Sequence, residues 1–209
     1  MKHKLNASDI KRVNKTKSLG IMIDEGLNWE EQFKTIKGKV RGGLASLKKL
    51  KDILPQSQLK NVYHALIESH MRYANVVWGS LSNSRIESLQ RLQDRAISII
   101  DTSRITDQWQ NNFLRVEQLI AFDRATMAYK IMNKLCPENL WSKFQQRSEF
   151  SRYNTRFCRD LQIPRFNLEY AKKGFSYSAL KVWNETPINI RELSTLRQFK
   201  KQMKTNLMS

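Results

Sequence analysis

The stretch ILPQSQLKNVYHALIESHMRYANVVWGSLSNSRIESLQRLQDRAISIID, Ile53 to Asp101, decides how this chain folds. Leu59, Val62, Tyr63, Leu66 and Met71 recur at helical spacing, and Leu89, Leu92, Ala96 and Ile99 repeat on a heptad-like pattern. Between these runs, Gly79 to Ser84 is rich in turn formers and marks a break. Ser84 with Glu87 three residues on reads as a capping box, in which the serine oxygen takes a first-turn amide and the glutamate reaches back. The spacing therefore predicts a helical hairpin, two amphipathic helices packed antiparallel, on which the rest of the chain can dock.

Charge is the strongest bulk signal. The 209 residues carry Lys+Arg 37 against Asp+Glu 19, a formal charge of +18 and a pI near 10.1. A surplus of that size points to a polyanion, drawn by electrostatic steering and held by release of counterions from its phosphates. Residues 1–52 have a net charge of +7 and residues 151–209 of +8, while residues 53–101 carry +1 and residues 102–150 carry +2. A nearly neutral body with two basic flanks suits a clamp or platform. An anionic membrane is the competing partner, but it calls for an amphipathic anchor, a lipidation signal or an apolar run of about 18 residues, and the sequence offers none. The polar N-terminus does not read as a signal peptide, and Cys136 and Cys158 lack framework spacing. Those features predict no membrane partner and a reducing, intracellular setting, nuclear or cytoplasmic. With 40% hydrophobic residues and five Trp, the chain can bury a core.

In chain order, Ile10 and Val13, then Leu19, Ile21 and Ile23, alternate as in short strands, with Asn14 to Lys17 as the hairpin turn. Two such strands are marginal alone and read as part of a larger sheet. Asn28, with Glu31 as its capping partner, then opens a helix whose apolar stripe is Trp29, Phe33, Ile36, Val40, Leu44 and Leu47. Lys34, Lys37, Arg41 and Lys48 lie about a quarter turn from that stripe. Gly38, Gly42 and Gly43 in the same helix cost on the order of 3 kcal/mol relative to alanine. They mark either a close backbone approach or a kink. Residues 102–115 read as a connector containing Trp109 and Phe113. Residues 116–135 read as a helix with Ile120, Met127, Ile131 and Leu135 on one face, stopped at Cys136-Pro137. An irregular Arg- and aromatic-rich stretch follows, then Phe175 to Trp183 and a break at Pro187. Ser194 caps a last helix with the stripe Leu196, Phe199, Met203 and Leu207, flanked by Arg197, Lys200, Lys201 and Lys204.

Catalytic chemistry is hard to place. The cysteines are isolated and His64 and His70 are six apart, so no metal-ligand spacing occurs. Phosphate-cradling glycine loops, nucleophile elbows and zinc-protease motifs are missing. Asp24-Glu25 falls in a turn and Glu30-Glu31 in a first helical turn, where the helix dipole favours acids. Tyr153, Phe157, Phe175, Tyr177 and Trp183 interleave with Arg152, Arg156, Arg159, Arg165, Lys172, Lys173 and Lys181. Rings and cations so mixed suit single-stranded nucleic acid, although Phe175, Tyr177 and Trp183 suit the core of a small helical unit better, which leaves the charged residues as the better candidates.

Several phrases, in order, resemble the C-terminal part of reverse transcriptases from non-LTR retrotransposons of the jockey and CR1 type. They are Lys17 to Asp24 with Leu27-Asn-Trp29, Leu54-Pro55, Arg72-Tyr73 with Val76-Val77-Trp78, and Leu89 to Ala96. Tyr153 to Arg156, Ile163-Pro-Arg165, Lys173 to Tyr177 with Val182-Trp-Asn184, and Phe199-Lys-Lys complete the set. The resemblance implies a mainly α fold: an end-of-palm β-hairpin (1–26), a helical thumb-like domain (27–136) and a smaller basic C-terminal helical segment (137–209). It implies a module that grips template–primer RNA or DNA alongside the remainder of a reverse transcriptase. The family's catalytic aromatic-x-Asp-Asp turn, which serves magnesium-dependent synthesis in the palm, is absent from this sequence. No catalytic residue, metal ligand or cofactor is therefore assigned here, and the chain is expected to be inactive alone.

The expected phosphate contacts are Lys34, Lys37, Arg41 and Lys48, then Arg197, Lys200, Lys201 and Lys204, with Arg91, Arg95, Arg156 and Arg165 as further candidates. Arg91 and Arg95 suit salt bridges to neighbours such as Asp94 equally well. A reading from a different class is a co-opted helical interaction module whose basic surface meets acidic proteins.

Overall fold

The computed structural model describes residues 4–5, 8–9, 12–101, 113–142, 144–149, 160–165, 169–172 and 174–208. The chain opens with two antiparallel strand pairs, β1 (Lys4–Leu5) with β2 (Ser8–Asp9) and β3 (Lys15–Ser18) with β4 (Ile21–Asp24). The expected turn at Asn14 to Lys17 does not form. The chain turns at Leu19-Gly20, where φ is 46° and 79°, and Lys17 pairs with Met22 and Ser18 with Ile21. Two successive positive φ values give the primed turn whose twist matches the flanking strands. Ile10 lies outside the described residues.

Helix α1 (Glu30–Leu50) follows, and its cap differs from the expected Asn28–Glu31 pair. The Asp24 carboxylate accepts the amides of Asn28 at 2.8 Å and Trp29 at 2.9 Å, and Trp29 holds the cap position at φ 58°. Two such bonds fix the turn that leads into the helix, and no side chain bonds its first-turn amides from the cap position. The predicted stripe is the one buried: Ile36, Val40 and Leu47 fully, with Trp29, Phe33 and Leu44 packed at its margin.

The first half of the decisive stretch is a rod of three pieces: α2 (Gln56–Tyr63), a π-helical segment (His64–Glu68) and α3 (Ser69–Arg72). Its buried residues are Leu59, Tyr63, Ile67 and Met71, four apart each time. In an α-helix each such step overshoots a full turn by about 40°, and three steps would carry the stripe about 120° off the core. The wider π turn takes up an extra residue and cancels the drift. Leu66, expected in the stripe, is instead 39% exposed, and Ile67 takes its place at 0%. The chain then reverses through Ala74, at φ 51°, into α4 (Asn75–Trp78) and α5 (Asn83–Ile100). Ser82 takes the cap position of α5, and the Ser84–Glu87 box does not form because Ser84 already lies inside the helix. Leu89, Leu92 and Ala96 are buried as expected, with Gln93, Ile97 and Ile100, while Ile99 is only partly buried. α1 packs against both the rod and α5, so the hairpin is completed by a third helix. Inside this core the Gln93 amide nitrogen donates to Tyr63 Oη at 2.7 Å and to the Leu114 carbonyl at 2.8 Å.

Helix α6 (Val116–Met132) is apolar around most of its circumference, the signature of a buried helix. Val116 and Ile120 join the first core. Leu119, Phe122, Ala125, Ala128 and Tyr129 build a second one with Leu161, Leu180, Trp183, Ile190, Phe199 and Met203. The helix stops three residues before the expected Leu135. Lys134 turns left-handed at φ 54°, and the Leu135 amide reaches back to the Lys130 carbonyl at 2.7 Å and that of Lys134 to Ile131 at 3.1 Å. This is a Schellman closure. It satisfies the terminal carbonyls before Pro137 can act and leaves Leu135 exposed.

The second core is closed by short elements: α7 (Glu138–Trp141), a 3-10 turn (Arg147–Glu149), α8 (Glu169–Lys172), α9 (Phe175–Glu185), α10 (Ile188–Arg191) and α11 (Leu196–Met208). Asn184 clips Leu161 by accepting its amide at 2.8 Å and donating to its carbonyl at 3.0 Å. Arg191 pairs with Asp160 at 3.0 Å. α11 is capped by Thr195, whose Oγ1 accepts the Gln198 amide at 3.3 Å, and not by Ser194. The fold is mainly α, with short strands leading two helical cores joined through α6. No helix among the described residues is long and apolar enough to cross a membrane.

Candidate nucleic-acid interface

The cationic face of α1 is laid out by helix geometry. Lys34, Arg41 and Lys48 are seven residues apart, about 10.5 Å per step along one side of the helix. Their surroundings differ. Lys34 bonds Glu30 at 2.9 Å and Glu31 at 3.1 Å, and those bonds, Glu30's first, raise its pKa while Lys34 lowers that of Glu31. Lys37 is half-buried with its ammonium 5.4 Å from the centre of the Phe33 ring. Arg41 and Lys48 are exposed, and among the described residues no carboxylate pairs with either.

On α11 the pattern is cleaner. Arg197, Lys200, Lys201 and Lys204 are all exposed and fall within an arc of about 100° beside the buried Phe199–Met203 stripe. The helix contains no acidic residue, and no carboxylate elsewhere among the described residues pairs with these four. Among the described residues no carboxylate offsets their mutual repulsion, and an external anion would relieve it.

The remaining candidates are more scattered. Arg91 bonds Glu87 at 3.5 Å, both well exposed, a pair of the kind that contributes little stability. Asp94 accepts from Gln90 at 2.7 Å instead, and Arg95 and Arg165 stand exposed. Arg156 lies outside the described residues, as do Arg152, Tyr153, Phe157, Arg159 and Lys173. Trp183 is in the second core against Phe199, and Phe175 and Tyr177 are half-buried, so none of the three is a bare stacking platform. The α1 cations are mounted on the first core and the α11 cations on the second.

The Arg72-Tyr73…Trp78 phrase has a structural role that sequence spacing did not expose. Arg72 donates to both Asp123 oxygens, Nε at 3.1 Å and an Nη at 2.5 Å, and reaches Glu68 at 3.4 Å. Glu68 also meets His64 Nδ1 at 2.7 Å, and Asn75 donates to Asp123 at 2.8 Å. Burial alone would raise the Glu68 carboxyl, but His64 and Arg72 together outweigh it and hold it below the ordinary value. The Asp123 bond in turn holds the Arg72 guanidinium charged. Tyr73 donates to the Leu19 carbonyl at 2.8 Å and Trp78 to the Tyr73 carbonyl at 2.7 Å. One heptapeptide thus ties hairpin, rod and α6 together. Its only sequence signal was an arginine and an acid 51 residues apart, a separation that no periodicity connects.

Compared with known proteins, the chain matches no family model, no curated protein and no solved structure.

Proposed function

We propose that this chain is a nucleic-acid-gripping module, the thumb-like and C-terminal part of a non-LTR retrotransposon reverse transcriptase of the jockey and CR1 type. In this reading the chain holds the phosphate backbone of template and primer, and a palm bearing the acidic motif performs the synthesis. The observation that carries it is the acid-free basic face of α11, Arg197, Lys200, Lys201 and Lys204, exposed and without a carboxylate partner among the described residues. Arg41 and Lys48 on α1 form a second set, with Lys34 already bonded to Glu30 and Glu31.

Anisotropy of a labelled RNA–DNA template–primer across a salt series tests the proposal. If about six phosphates are neutralised, log affinity falls with log salt at a slope of about −4 to −5. Replacing the four α11 cations with Gln is expected to flatten that slope by about 3 to 4. A wild-type slope near zero overturns the proposal.

A further inference from the structure

The two edges of the β3–β4 hairpin are unlike. In a two-residue hairpin the pair next to the loop, Ser18 with Ile21, exchanges interstrand bonds, and so does every second pair beyond it. The Glu25 amide bonding the Asn14 carbonyl at 3.0 Å continues that parity. The main-chain groups of Lys15, Lys17 and Met22 therefore point outward. On the β4 side the Met22 amide is taken at 2.9 Å by Oε1 of Gln32, an α1 side chain only 4% exposed, and the Asp24 carbonyl accepts the Leu27 amide at 3.0 Å, so that edge is partly occupied from within the chain. On the β3 side all four residues are exposed, and among the described residues β1 and β2 pair with each other and not with β3. Among the described residues nothing bonds the outward amides and carbonyls of Lys15 and Lys17.

The chemistry of this open edge selects its occupant. Lys15 reaches Glu31 at 3.5 Å, while Lys17 has no carboxylate partner among the described residues. Val13 and Leu19 flank the edge at 51% and 88% exposure. A second copy laid antiparallel would set lysine against lysine, the device by which edge strands resist self-pairing. A strand carrying carboxylates would meet them favourably and could cover Leu19 and Val13. We propose that the β3 edge is a docking site for an extended acidic, partly apolar segment of a protein partner, added as a third strand. This inference is independent of nucleic-acid binding, because its contacts are main-chain and its partner is a polypeptide.

The probe is a synthetic peptide alternating Glu with Val, titrated into the full-length 15N-labelled chain and followed by NMR. The Lys15 and Lys17 amides are expected to shift and to gain exchange protection. The same peptide N-methylated at alternate amides keeps its charge and is expected not to bind. Lys17→Pro, which removes an outward amide and no hairpin bond, is expected to weaken binding by about tenfold or more. Equal binding of the N-methylated peptide, or shifts confined to α1 and α11, would mean attraction by charge alone and overturn the proposal. Protection of Lys15 and Lys17 in a dimer without peptide would overturn it in favour of a second copy. If Lys17→Pro fails to fold, the two peptides on the unaltered chain still decide the matter.

Discussion

Gly42 and Gly43 are adjacent in α1 and face different surroundings. A Cβ added at Gly43 would lie 2.5 Å from the Leu66 carbonyl oxygen and 2.8 Å from Ile67 Cγ1, whereas one at Gly42 meets nothing within 4 Å. The close backbone approach that the glycines allowed for is real at Gly43, where α1 presses on the π segment, and α1 runs unbroken through Gly38, Gly42 and Gly43. Gly42→Ala is expected to raise unfolding free energy by about 0.5–1 kcal/mol, since alanine favours the helix and nothing resists it. Gly43→Ala gains the same preference but forces the rod away, for a net loss of about 1–3 kcal/mol. Urea denaturation reads the opposite signs. Two stabilising substitutions would mean that the α1–rod contact is looser than described.

The rod is the element that departs furthest from regular helical spacing. Helical spacing placed Leu66 in the core because a regular α-helix puts it there, beside Leu59, Val62 and Tyr63. The π segment moves that role to Ile67. Ile67→Ala is expected to cost about 2–5 kcal/mol and Leu66→Ala under about 1 kcal/mol, measured by thermal or urea unfolding. Stripes in α1, α5 and α11 were readable because each follows one regular period, whereas the rod's four-residue repeat fits no single helix type. The caps at α1, α5 and α11 lie one or two residues from the expected Asn28, Ser84 and Ser194. At α5 and α11 serine, threonine and asparagine compete at neighbouring positions and tertiary placement selects among them, whereas at α1 Trp29 holds the cap position.

At the scale of the molecule, the cluster of His64, Glu68, Arg72, Asp123 and Asn75 clamps the rod to α6, and α6 belongs to both cores. Glu68 is held below its ordinary carboxyl value of 4.5. Its folded state therefore binds a proton less readily than its unfolded state. The stability it contributes is complete above that value and is lost as pH falls through the lower folded value. Glu68→Gln removes this contribution, so unfolding free energy followed from neutral pH into acid should fall less steeply in the variant than in the wild type. Parallel acid profiles would show that Glu68 is not part of the clamp.

By itself the sequence determined a mainly α chain with a leading hairpin, the composition of the main buried stripes and the concentration of charge at the two ends. These follow from period and composition, which are local properties. The tertiary structure alone decided where the hairpin turns and which residues cap the helices. It also decided that Gly43 rather than Gly42 is pressed, and that Arg72 is committed to Asp123. Among the predicted cations it separated Lys34, bonded to its own acids, from the α11 set. Each of these depends on groups far apart in the chain meeting in space, and the decisive stretch from Ile53 to Asp101 could specify its own helices but not the partners that complete them.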